Sequence, residues 1–100
     1  MKLGILVNTD KHLAEVMGIT RAASDKAHEV IIFAMDDGTR FLEEAACTAL
    51  AELPNVMISY CDHSAQELAV STDSLTDAIE RSSQYNNATM IHNADKVIVL

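Results

Sequence analysis

The chain is poor in the residues that punctuate or staple a fold. Its 100 residues include no tryptophan, one proline, three glycines and two cysteines, and aromatic side chains make up only 4%. Gly4, Gly18 and Gly38 stand far apart, so neither GxGxxG nor GxxxxGK[ST] occurs, and nucleotide binding through the familiar phosphate loops is excluded. Cys47 and Cys61 fall in segments that read as helix and strand end, and a pair of thiols so placed is no disulfide framework. No apolar run approaches membrane-spanning length and nothing at the N-terminus has the pattern of a signal peptide. These absences predict no membrane contact and a cytoplasmic setting in which thiols stay reduced. Basic residues are scarce as well, seven against fifteen acidic for a net charge of −8. Long-range repulsion opposes a polyanionic partner, so nucleic acid is not expected, and the charge is otherwise a contribution to solubility.

What the chain does contain is apolar runs alternating with helical periodicity. Leu3-Gly4-Ile5-Leu6-Val7 and Val30-Ile31-Ile32-Phe33-Ala34 are continuous rather than alternating, which suits strands covered on both faces. Val56-Met57-Ile58 and Lys96-Val97-Ile98-Val99-Leu100 add a third and a last strand. Between the first two, Leu13, Val16, Met17, Thr20, Ala23, Ser24 and Ala27 recur at helical spacing. A second helix is expected with Leu42, Ala45, Ala46, Ala49, Leu50 and Leu53 on one face, stopped by Pro54-Asn55. Leu75, Ala78 and Ile79 read as helical within Leu68 to Gln84, and so does the stretch around Ala88, Ile91 and Ala94.

The expected architecture is one α/β domain over residues 1–100: three αβα layers with a mainly parallel sheet of four to five strands in a flavodoxin-like winding. Strands one to three run outward and the last returns beside strand one, in the order 3-2-1-4. Asn8 to Asp10 then lie at the switch point, where such sheets bind ligands, or serve only to turn the chain and cap helix one. Asp37-Gly38, closing strand two, has the same double reading.

The segment Ser59-Tyr60-Cys61-Asp62-His63-Ser64-Ala65-Gln66-Glu67 ends an apolar run with a thiol and follows it with a helix-start signal. Ser64 and Glu67 stand at capping-box spacing, which starts a helix near Ala65. Unpaired N–H groups and the positive end of a helix dipole favour thiolate over thiol at Cys61. His63 adds an imidazole that titrates near neutral pH, while Asp62 opposes ionisation of the thiol. Spacing alone leaves a reactive thiol and a buried structural one equally matched, since free cysteine is among the most buried residue types. Cys47 lies off the apolar stripe of helix two, at its edge, exposed or in a subunit contact, and reads as structural. Neither a metal-ligand spacing nor a GxSxG elbow is present, and no cofactor or metal is expected.

The apolar first strand, the strand-two ending Phe33-Ala34-Met35-Asp36-Asp37-Gly38, the strand-three ending Ile58-Ser59-Tyr60-Cys61 with Ser64-Ala65, and the closing Ala94-Asp95-Lys96-Val97-Ile98 resemble the DsrE/DsrF/TusD group of small sulfur-relay proteins. The resemblance extends over most of the chain. It implies sulfane sulfur carried as a persulfide on Cys61, a sulfurtransferase-type activity, sulfur donor and acceptor proteins, and assembly as homo-oligomers, trimers or hexamers, or with paralogous subunits. Two departures stand out: Gln66-Glu67-Leu68 occupies the place where an Arg-Gly-like pair is frequent, and the usual fourth apolar strand is missing or degraded between Ala69 and Ala88. The competing expectation is a non-catalytic interaction or small-ligand-binding module of the same fold with an incidental cysteine.

Overall fold

Each continuous apolar run forms a strand of one sheet in the computed structural model, which describes residues 1–100. Lys2–Val7 (β1), Glu29–Ala34 (β2), Val56–Cys61 (β3) and Lys96–Val99 (β5) pair in parallel, joined by one more strand, Ile79–Ser82 (β4). The order across the sheet is β4-β3-β2-β1-β5. The expected winding is therefore present, with the last strand beside β1 and one more strand added outside β3. That added strand corrects the helical reading of Leu75, Ala78 and Ile79. Only Ile79 of its four residues is buried, and the charges of Glu80 and Arg81 suit an exposed sheet edge better than any periodicity reveals.

The first helix, α1 (Leu13–Asp25), buries Val16, Thr20 and Ser24 and ends where Ala27 takes a left-handed φ of 60°. Helix two is not one helix. Asp36–Glu43 and Ala49–Glu52 are 3₁₀ turns flanking a single α turn, Ala45–Thr48 (α2). Leu42 and Leu50 are buried as expected and Leu53 packs against the core, but the tighter winding shifts the phase of the side chains between them. Ala45, Ala46 and Ala49 are exposed, while Cys47 is buried at 1% exposure beside Phe41, Leu42 and Leu50. Cys47 is thus a core side chain rather than an edge or contact residue.

β3 passes without a loop into α3 (Asp62–Glu67), and α4 (Gln84–Asn93) follows β4 after one residue. The two sheet faces are covered unequally. One carries a cluster of 17 buried residues, including Ile5, Ile32, Ile58, Val16, Phe41, Leu50 and Ala65. The other has a small cluster of Phe33, Cys61 and Met90 with Leu6, Ile31 and Met35 packed round it. Here α4 lies directly on Gly4, where an added Cβ would sit 3.2 Å from both Ala94 Cβ and Met90 Cγ. No helix is long and apolar enough to cross a membrane.

Candidate functional site

Cys61 is the last residue of β3 and the N-cap of α3, so the chain turns at the thiol itself. This corrects the capping reading: the helix starts at Asp62, and no side chain caps it. Asp62 takes the first-turn position that favours a carboxylate. Ser64 is drawn inside the first turn and buried, and Glu67 pairs with His63 instead of reaching back to a capping N–H (Nε2–Oε1 3.0 Å).

Placed there, the sulfur of Cys61 feels both burial and the polar groups of the helix start and of Gln84. Burial is the largest single influence and raises the thiol's pKa, but hydrogen bonds outweigh it. The Ser64 hydroxyl, the Ser64 backbone N–H, the Gln84 side-chain amide and the His63 backbone N–H all favour the thiolate, and the pKa lies below its ordinary value. Asp62 is turned aside: its Oδ2 accepts from Gln66 Nε2 at 2.6 Å and pairs with Arg81 Nε at 3.3 Å. Phe33 and Met90 close the apolar side of the sulfur.

The polar side opens into a cavity of ≈ 500 Å³ lined by Cys61, Asp62, His63, Ser64, Asp36 and Ser82 to Gln84. The parallel register puts Cys61 opposite Ser82, so the carboxyl ends of β3 and β4 and the starts of both following helices meet at this cavity. A roomier groove of ≈ 620 Å³ between the sheet and α4 contains neither thiol.

The remaining expected site residues are placed differently. Asp37 lines a small adjoining pocket of ≈ 110 Å³ with Asp36, Ser64, Glu67 and Leu68. Gly38 is buried against the end of β1, where a Cβ would fall 1.9 Å from the Val7 carbonyl oxygen; only glycine permits that approach. Asn8 donates its N–H to the Leu100 carbonyl at 3.2 Å and lines neither cavity. No group of three or more His, Cys, Asp or Glu side chains is gathered as metal ligands.

Sequence reasoning missed Asp36, Ser82, Ser83 and Gln84. The Ser82-Ser83 pair before a helical stretch is a cap signal that points to this junction, and Ser83 Oγ does accept from the Tyr85 N–H at 3.3 Å as the cap of α4. Nothing in the sequence pairs that junction with Cys61.

Comparison with known proteins agrees with this architecture. No protein with a curated description matches the chain. Among solved structures, the YchN protein from E. coli superposes with a TM-score of 0.70 at 18% identity, covering 100% of both chains. The protein of unknown function MTH1491 from Methanobacterium thermoautotrophicum gives 0.78 at 11% identity, covering 99% of this chain and 98% of the other. At these identities the likeness concerns the fold alone. The description of the DsrE/DsrF-like family matches residues 1–100, the whole chain given, and the protein belongs to that family.

Proposed function

We propose that this protein binds or relays sulfane sulfur as a persulfide on Cys61. The observation that carries the reading is the place of one sulfur, at the end of β3 and the start of α3, on a cavity that it shares with His63, Ser64 and Gln84, whose N–H and O–H groups favour its thiolate. A thiolate so held attacks the outer sulfur of a donor persulfide. The new S–S bond forms between Cys61 Sγ and that outer sulfur as the donor's S–S bond breaks. The outer sulfur keeps its proton, the donor leaves as a thiolate, and no net oxidation occurs. The same donors then face the terminal sulfur when it carries charge. His63 takes part through its backbone, and its imidazole stands at the rim. Family membership supports the sulfur chemistry at the level of the family.

A second reading has its own observation. On the face that α4 covers only in part, Met57 is 63% and Tyr85 77% exposed along one groove, and Val99 on the far edge strand is 57% exposed. Such a surface favours an interaction module whose apolar face meets a second copy or a paralogous subunit. Assembly of this kind fits the relay reading too, so the thiol separates them. The protein is incubated with a polysulfide and weighed intact before and after dithiothreitol. A gain of one sulfur that the reductant reverses, lost in Cys61→Ser and kept in Cys47→Ala, is the expected result. No gain in the native protein ends the relay reading in favour of the module.

A further inference from the structure

Gln84 stands between a thioether, a second amide and the cavity of Cys61. Its Nε2 donates to Met35 Sδ at 3.7 Å and its Oε1 accepts from Asn87 Nδ2 at 3.2 Å, while its side chain lines the same cavity as Cys61 and is among the groups that favour that thiolate. A thioether sulfur can only accept, and so can a thiolate. Both sulfurs therefore require the NH₂ side of Gln84, and Asn87 occupies the other side. The arrangement leaves the Asn87 Oδ1 buried without a partner. Turning both amides over would pair Asn87 Oδ1 with Gln84 Nε2 but leave the Asn87 NH₂ in the vacated position without a partner, and would aim the Gln84 oxygen at Met35 and Cys61, where only a protonated thiol could answer it.

We propose that Gln84 and Asn87 form a pair of oriented amides in which Gln84 holds the charged sulfur of Cys61 and Asn87, a positioning residue, holds Gln84. The inference deepens the relay reading, because the terminal sulfur of a Cys61 persulfide carries its charge into the same cavity that Gln84 lines. It also has a consequence that needs no persulfide: the orientation of Gln84 is linked to the protonation of Cys61. The amide holds the NH₂-inward state when the sulfur is ionised, and gives up one reason for that state when the thiol is protonated.

The test is a pH titration of thiolate absorbance in a Cys47→Ala background, so that the signal reports Cys61 alone. Gln84→Met removes the donor hydrogens and keeps the length of the side chain. It should raise the apparent pKa of Cys61 so that the thiolate share at neutral pH falls about threefold to tenfold. Asn87→Ala should move the pKa the same way by less, and should add nothing in the Gln84→Met background, since it acts through Gln84. Gln84→Glu, which brings an acceptor and a charge, should raise it further than Gln84→Met. An unchanged titration in both Gln84 variants overturns the role of Gln84. An Asn87→Ala shift of equal size with and without Gln84 overturns the positioning role. Failure of sulfur uptake while these shifts are seen would remove the relay reading and leave the amide pair standing.

Discussion

Cys47 and Cys61 are covered to nearly the same degree, 1% and 5% exposed, yet their thiols are driven in opposite directions. Cys47 sits among Phe41, Leu42 and Leu50, where burial, with a smaller contribution from Glu44, pushes it up to about 11. Cys61 feels burial as well, but it stands where a strand ends and two helices begin, and the hydrogen bonds available there bring it below its ordinary value. Coverage alone therefore does not decide whether a thiol is inert. What decides it is whether the covering atoms are apolar, or are N–H and O–H groups with no better acceptor.

Stability at alkaline pH offers the largest test of this contrast. The Cys47 thiol keeps its proton in the folded chain between its ordinary 9.0 and about 11, whereas the unfolded chain releases it. Its contribution is fully present below 9.0 and is lost as pH rises through about 11. The loss amounts to roughly 3 kcal/mol. Cys61 has the opposite sign. With its folded pKa depressed, its contribution is present above the ordinary 9.0 and lost as pH falls through the folded value. In urea titrations, Cys47→Ala should flatten the fall in stability between pH 9.0 and about 11 relative to the parent, whereas Cys61→Ser should leave that slope nearly unchanged and remove a rise in stability with pH below 9.0. Parallel curves for parent and Cys47→Ala would mean that water reaches Cys47.

A smaller effect is expected from Ser64→Ala, which removes the hydroxyl donor to Cys61 and keeps the backbone one. Ser64 is 7% exposed, so the change leaves little space and no new buried polar group. The thiolate share of Cys61 at neutral pH should fall about threefold, less than for loss of several donors at once. The check is the pH profile of alkylation rather than a rate at one pH, since nucleophilicity itself falls with pKa. An unmoved profile would assign the depression to the backbone and Gln84 alone.

How far the sequence discloses these differences depends on how local their causes are. β1, β2, β3 and β5 are legible because a strand buried on both faces leaves a continuous apolar run such as Val30 to Ala34. The position of Cys61 at a strand end beside a helix start is legible for the same reason. Its surroundings are not: Gln84 and Ser82 arrive through β4, and Ile79-Glu80-Arg81-Ser82 carries too little apolar character to announce a strand. The burial of Cys47 is hidden by geometry of a different kind, because a helical wheel drawn with α spacing misplaces residues that follow a run of 3₁₀ turns. Ser64 was legible as a helix-start residue but not as a sulfur ligand, since a capping hydroxyl and a hydroxyl turned toward Cys61 share the same local sequence.

His63 gives the smallest expected effect and the sharpest test of where the donors reside. The imidazole is 80% exposed and paired with Glu67, an exposed i,i+4 contact that contributes at most about 0.5 kcal/mol. What reaches Cys61 is the backbone N–H of His63, which every residue except proline supplies. His63→Ala should therefore leave the Cys61 titration and sulfur uptake unchanged, with stability altered by no more than about 0.5 kcal/mol. His63→Pro removes the N–H at a first-turn position where proline is tolerated, and should raise the thiol's pKa although it alters the same side chain. If the alanine variant raises it as much as the proline variant, the imidazole itself acts on the sulfur. The distinction between the two cysteines would then rest on a side chain rather than on the end of a strand.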